Sequence, residues 1–305
     1  IKINKVRHLQ NINVPICKEK CKHIIFTGKN GSGKTSVLDA ISTFLNSITK
    51  GEDPEEIAET VKTTKKGIQY YREKQDERSL KQSESSLEYW VEQYQKSTAG
   101  IWLNFNTSFT EIRKQFEAGN FVVAYYKADR IFTSVQPKHV EKVQLKSEMP
   151  RTEFIKYLLD LKMTQALAIS GGKTDKAHTI AIWFEKFEQL LKQIFDDESV
   201  KLVFDEETFQ FSIEMDGREP FDFNTLSSGY AAILDIVVDL ILRMERQLNR
   251  SFDFAISGIV LIDEIETHLH LELQKNIMKL LTTVFPNIQF IVSSHSPFIL
   301  NSLDD

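Results

Sequence analysis

FTGKNGSGKTSVL, Phe26–Leu38, places a glycine-rich loop between a short apolar stretch and an apolar helix. Within it, Gly28-x4-Gly33-Lys34-Thr35 has the spacing of a phosphate-binding loop. The glycines let successive backbone N–H groups turn toward phosphate oxygens. Lys34 reaches the terminal phosphates, and the Thr35 hydroxyl suits a magnesium ion. The helix that starts at the loop adds the positive end of its dipole. Gly28, Gly31, Ser32, Gly33, Lys34, Thr35 and Ser36 are therefore the candidate nucleotide-binding residues. Loops of this kind serve kinases, GTPases, motors, transporters and repair enzymes alike. The class has to come from the rest of the chain.

Before the loop, residues 1–16 alternate weakly and read as one or two edge strands, and HIIFTG reads as a buried strand. Gly33–Ile48 is the helix after it. From Glu52 to Ser97 the composition shifts to Glu, Lys, Gln and Ser, which predicts two or three helices without a sustained heptad. GIWLNFNTSF and NFVVAYYKA return to strand character, and 136–150 reads as an irregular connection. Thr152–Ile169 and Asp175–Phe195 are helical around the turn SGGKTD. VKLVFD and TFQFSIEM are strands, with DGREP turning after them. The last part is plainest: helix Leu226–Asn249, apolar strand GIVLID, helix His270–Val284, strand IQFIVSS. Apolar strands alternating with helices predict an α/β fold whose parallel sheet is covered on both faces. The expected division is 1–50 and 200–305 as the two parts of one core. Residues 51–199 form a mainly helical insertion with two core strands near 101–126.

Three further stations belong with the loop. In GIVLIDEIE, Gly258–Glu266, an apolar strand delivers Asp263 to the carboxyl edge of the sheet, beside the phosphate loop, where it suits magnesium. Glu264 follows directly, placed to polarise an attacking water. Alone, an acidic strand end is commonplace; joined to the loop it becomes a candidate site. SSH, Ser293–His295, ends the next strand one β-α-β step on, so His295 is expected near the terminal phosphate. NTLSSGYAAIL, Asn224–Leu234, is a small polar turn leading into a long helix, and by itself would be a plain helix start.

In this order the four stations resemble the ATP-binding-cassette (ABC) heads of DNA-repair and chromosome-maintenance ATPases. Leu226-Ser227-Ser228-Gly229-Tyr230 resembles their Leu-Ser-Gly-Gly-Gln signature and departs at the third and fifth positions. IDEIETHLH and SSHSPFIL are similar to the RecF-like and overcoming-lysogenization-defect-like group. KHIIFTGKNGSGKTSVLDAI with LSSGY looks most like the ATPase subunit of Septu-type and retron-associated antiphage systems. The resemblance implies an ABC-type P-loop ATPase head with a mostly parallel sheet, an antiparallel β subdomain and a helical insertion. It also implies ATP and Mg2+ as ligands, with Asn30 joining the phosphate loop and Thr35 and Asp263 as metal residues. Lys34, Glu264 and His295 become the catalytic set, His295 contacting the γ-phosphate. Ser227, Ser228 and Gly229 would act in trans on the ATP of a second copy, in a head-to-tail dimer. A magnesium-sensing glutamine is expected among Gln93, Gln95, Gln115 and Gln136, with no ground for choosing.

A chain of 305 residues, 41% apolar, can bury a full core, and its net charge of −5 argues against a uniformly basic nucleic-acid binder. Basic residues nevertheless concentrate before Leu38 and again at Lys62, Lys65, Lys66, Arg72, Lys74, Arg78 and Lys81. A solvated surface accounts for such runs as readily as a DNA or RNA face. Cys17 and Cys21 read as ordinary reduced thiols, and His268 and His270 as part of the loop after Glu264 and not as metal ligands. The longest apolar run, YAAILDIVVDLIL, is interrupted by Asp235 and Asp239, so a cytoplasmic protein with no membrane partner is expected. Terminal residues and loops are expected to be missing from the sequence. Two functions compete: the one the resemblance implies, an ATPase that regulates an associated nuclease, whose chemistry would lie in a partner or in missing residues because this chain shows no nuclease site, or an ATP-gated DNA- or RNA-binding clamp of repair type.

Overall fold

The computed structural model describes residues 1–16, 22–129, 153–248 and 254–302. Cys17, Cys21, Gln136, Asn249 and the connection read over 136–150 lie outside them. The chain opens with an antiparallel hairpin, β1 (Lys2–Val6) and β2 (Leu9–Asn13), followed by β3 (Ile24–Thr27), the glycine loop and α1 (Lys34–Thr49). A helical hairpin comes next, α2 (Pro54–Glu73) and α3 (Glu77–Thr98). Asp53 caps α2 by accepting the Glu55 and Glu56 N–H groups, and Pro54 opens the first turn. β4 (Ile101–Trp102) pairs with β1, completing a small antiparallel sheet of order β2-β1-β4.

GIWLNFNTSF, read as a strand, yields only those two paired residues. The Ser108 hydroxyl accepts the Glu111 N–H at 3.2 Å and starts α4 (Phe109–Glu117). A side-chain acceptor three residues ahead of a free N–H is a helix start, and it overrides the apolar alternation. Then come β5 (Phe121–Tyr126), the antiparallel helices α5 (Phe154–Ser170) and α6 (Thr174–Phe195), and the hairpin β6 (Lys201–Asp205) with β7 (Gln210–Glu214). The rest is α7 (Ser228–Leu248), β8 (Ser257–Ile262), α8 (Leu271–Val284), β9 (Ile288–Ser294) and the single turn α9 (Pro297–Leu300).

The central sheet is parallel throughout, in the order β3-β9-β8-β5. β8 shows why it is covered twice. Ile259 and Leu261 join the apolar cluster around α1 and β1, whereas Val260 and Ile262 join the larger cluster of α5, α6, α7 and α8. Successive side chains on a strand point to opposite faces, so a strand apolar at every position needs a layer on each. β3 departs from expectation: it is an edge strand and only half-buried.

Helix α7 lies inside the larger cluster yet carries the buried carboxylates Asp235, Asp239 and Glu245. Asp239 accepts from the Tyr126 hydroxyl at 2.6 Å and from Arg243 Nε at 2.7 Å. Glu245 accepts from the Tyr157 hydroxyl and the Trp183 indole, both at 2.8 Å. A buried carboxylate is tolerated only with such partners, so these bonds fix α7 against β5, α5 and α6. Among the described residues, no helix is long and apolar enough to cross a membrane.

Candidate nucleotide site

Strand register decides which candidates meet. Thr27 of β3 lies opposite Ser294 of β9, and Ile262 of β8 lies opposite Val292. The glycine loop, Asp263 and His295 therefore leave the same carboxyl edge of the sheet, the usual ligand side of such folds. β9 runs between the other two strands. Asp263 faces the phosphate loop across that strand instead of standing next to it, about 10 Å away at ordinary strand spacing.

In the loop, Gly31 and Gly33 adopt φ of 78° and 97°, a left-handed backbone that other residues enter only at a cost. A Cβ on Gly33 would stand 3.0 Å from Leu9 Cδ1, because the β1–β2 turn rests on the loop. Lys34 Nζ donates to the Gly28 carbonyl at 2.9 Å and the Lys29 carbonyl at 3.2 Å, which holds the ammonium over the mouth of the loop. Asn30, Gly31 and Thr35 are exposed, Ser32 and Ser36 half-buried. Open glycine backbone, a cation bent over it and a helix starting at Lys34 are the donor set a polyphosphate requires. The exposed Thr35 hydroxyl and the Asp263 carboxylate supply the hard oxygen donors that magnesium prefers.

Across the edge, Ser293 organises the carboxylates. Its buried hydroxyl donates to Asp263 Oδ1 at 2.5 Å and accepts the Glu264 N–H at 2.8 Å, while its carbonyl accepts the Ile265 N–H at 3.1 Å. Glu264 itself sits at φ 45°, a left-handed conformation that costs a non-glycine residue about 1 kcal/mol or more. The bonds to Ser293 sustain it. Glu264 Oε1 lies 3.9 Å from His295 Nε2, and Thr267 Oγ1 approaches Glu264 Oε2 at 3.4 Å. Glu264 and His295 thus face one another at the head of neighbouring strands. Tyr125, at the end of β5, donates to Asp39 of α1 at 3.1 Å. Burial first, then the nearby Asp39 and Asp263 charges, push its phenol well up, so it stays a protonated donor.

The turn at the head of α7 packs on the loop that leads into α8. Ser227 and Ser228 are exposed, and the Ser227 carbonyl accepts the Ala231 N–H at 2.9 Å. Gly229 is buried: a Cβ there would lie 3.0 Å from the His268 carbonyl and 3.3 Å from Leu273 Cδ1. This turn is therefore seated on the loop that follows Glu264. Tyr230, at one of the two positions that depart from the signature pattern, packs its ring 4.5 Å from Phe195 and edge-on to His270 at 5.9 Å.

His270 precedes α8, and His268 is exposed. Among the described residues, no group of three or more His, Cys, Asp and Glu is arranged to hold a metal. Gln93 and Gln95 lie on α3, and Gln115 on α4, where its amide donates to Glu111 at 2.7 Å. On the side of Asp263 away from β9, the neighbouring strand is β5, which runs out into Lys127, Ala128 and Asp129. Ser293, Glu266 and Tyr125 escaped the sequence reading. Only the paired serines after an apolar strand hinted at the first.

A family model described as "AAA domain, putative AbiEii toxin, Type IV TA system" matches residues 129–301, more than half of the chain. The chain belongs to this AAA-domain family. Its fold is mixed α/β, a parallel sheet covered by helices with the glycine-rich loop leaving its edge strand. It is 26% identical to the Septu protein PtuA of Bacillus mycoides (strain KBAB4) over 312 aligned positions, covering 100% of this chain and 39% of that protein. It is 44% identical to the Retron Vc95 probable ATPase of Vibrio cholerae serotype O1 biovar El Tor over 89 positions, 28% of this chain and 17% of that one. The chain thus spans less than half the length of these relatives. Among solved structures, an SMC head bound to the C-winged helix domain of ScpA aligns with a TM-score of 0.35 and 15% identity, covering 65% of this chain and 56% of that one.

Proposed function

We propose that this chain is an ATP-binding and ATP-hydrolysing head that closes head-to-tail on a second copy, and that closure regulates an associated nuclease in bacterial antiphage defence. The supporting observation is one sheet edge that carries the phosphate loop, the Asp263–Glu264 pair and His295. On this reading Gly28, Asn30, Gly31, Ser32, Gly33, Lys34, Thr35 and Ser36 take the phosphates. Magnesium, held by Thr35 and Asp263, would neutralise charge on the transferred phosphoryl group. Glu264 orients water and accepts its proton, and His295 donates to the terminal phosphate. Ser227, Ser228 and Gly229 engage the ATP of the partner head. Their position supports this role, since the two serines are exposed and Gly229 rests on the loop after Glu264, so movement there is felt at the carboxylate. The Septu and retron relatives support the defence setting.

Ser227→Arg tests the trans role. ATP affinity of the monomer should stay within about twofold, while the ATP-dependent dimer seen by light scattering disappears, because an exposed helix start tolerates the side chain but a closed interface does not. Equal loss of binding and dimerisation would remove the trans assignment. The partner is tested by purifying the protein from its own cell. A stoichiometric nuclease is the expected companion, and nucleic acid without one would support the reading below instead.

A specific groove favours a second reading, an ATP-gated DNA or RNA clamp. Ala58, Val61, Lys62, Lys65, Lys66 and Gln69 of α2 and Tyr94 of α3 line an open hollow of about 450 Å³, and among the described residues no acidic side chain lines it. Lys62 is also paired with Glu59 at 3.2 Å. An apolar floor under ammonium groups suits a base with its phosphates. Tyr94 stacks on Trp102, which meets Phe44 of α1 edge-on, so the groove is joined to the phosphate-loop helix.

A further inference from the structure

We propose that Glu266 is a positioning residue that sets His295 for its work at the terminal phosphate. The inference rests on the reading of Glu264 and His295 as the pair that handles ATP, and it names the group that orients one of them. β9 ends at Ser294, which is also the last residue paired with β3. His295 is therefore the first residue beyond the ladder, and its N–H needs an acceptor from elsewhere. Glu266 provides it: Oε1 accepts the His295 N–H at 2.5 Å. The next N–H, that of Ser296, is already taken by Ser294 Oγ at 3.0 Å.

Glu266 is held in turn. The Leu269 N–H donates to its carbonyl at 2.9 Å, closing the turn in which it sits. Its second oxygen, Oε2, is buried with no hydrogen-bond partner among the described residues. A carboxylate half-satisfied in this way costs free energy, and an apolar residue would serve packing better. The return on that cost is the bond to His295. Two laces consequently join the loop after β8 to the end of β9. Ser293 binds Asp263, Glu264 and Ile265 on one side, and Glu266 binds His295 on the other. Between them the Glu264–His295 separation of 3.9 Å is set.

The test compares Glu266→Ala, Glu266→Gln and His295→Ala in the full-length protein. Glu266→Ala should lower kcat about 10–100-fold, the usual loss on removing an orienting partner, with KM for ATP within about twofold. Glu266→Gln keeps an acceptor oxygen and should recover most of the loss. In the Glu266→Ala/His295→Ala double variant the losses should not multiply, because both act through one side chain. A readout independent of turnover is the His295 amide proton in the nucleotide-free, deuterated protein. It should resonate downfield in wild type and Glu266→Gln and move upfield in Glu266→Ala. An unmoved amide, or losses that multiply, would overturn the proposal. Wild-type protein without ATPase activity would sink the functional reading while leaving the amide measurement to decide this one.

Discussion

Replacing Lys34 with alanine is expected to abolish ATP binding, weakening it by at least about 100-fold. A charge-assisted hydrogen bond contributes about 1.5–3 kcal/mol, and the ammonium serves more than one phosphate oxygen. The geometry adds a second loss. Lys34 Nζ lies on the Gly28 and Lys29 carbonyls. Without it, those carbonyl dipoles face an approaching anion with nothing between. Folding should be spared, because α1 is anchored by Val37, Leu38, Ile41, Phe44 and Leu45, none of which touches that charge change. Calorimetric titration of ATP with magnesium checks this. Unaltered affinity, with an unaltered melting curve, would refute the phosphate-loop assignment.

Glu264→Gln should have the opposite signature: ATP binds as in wild type, hydrolysis slows by about 10²–10⁴, the usual share of general-base catalysis, and a dimer accumulates. The amide is isosteric with the carboxylate. The left-handed backbone at this residue is held by its own N–H on Ser293, and the substitution leaves that bond in place. What disappears is the negative charge that takes a proton from water. A head that binds ATP but cannot discharge it stays closed, by mass action on the bound state. Single-turnover hydrolysis and light scattering on one sample read both effects. If the variant turns over like wild type, Glu264 is not the water-orienting carboxylate. Should it fail to bind ATP, the defect lies in the fold of the edge and not in the chemistry.

The contrast between these two residues and Ser293 shows what a linear reading can reach. Lys34 and Glu264 announce themselves through neighbours in the chain: glycines at set spacing in one case, an apolar strand running into Asp-Glu in the other. Ser293 carries only a faint one, the pair of serines that ends an apolar strand. Its importance comes from standing beside Asp263 across the sheet, a neighbour distant in sequence, and from two bonds that only the pairing of β8 with β9 makes available. Glu266 is similar, since nothing in DEIE says which of its acids will meet a backbone N–H at the end of another strand. The carboxylates of α7 are a third case. Asp239 looks like an interruption in an apolar run, and Glu245 like an ordinary charge just after it, until Tyr126, Arg243, Tyr157 and Trp183 are seen to satisfy them.

The helix at Phe109 marks a different limit. Aromatic alternation over GIWLNFNTSF argues for a strand, yet only Ile101 and Trp102 pair with β1, and the Ser108 cap starts an amphipathic helix soon after. Two local signals competed there, and the serine cap outweighed the apolar alternation. Local preference was enough for α7 and α8, whose apolar faces repeat with the helical period over many residues.

By itself, then, the sequence determined the glycine-rich loop between strand and helix, the apolar strands with their acidic and histidine ends, and the helices between them, because each depends on backbone conformations and periodicities written within a few residues. The tertiary structure decided that β9 separates the loop from Asp263, that Ser293 and Glu266 lace the ends of β8 and β9 together, and that Gly229 is seated on the loop after Glu264. These are relations across strands and between loops. They follow from register and packing, which the whole chain sets at once and no short stretch of it contains.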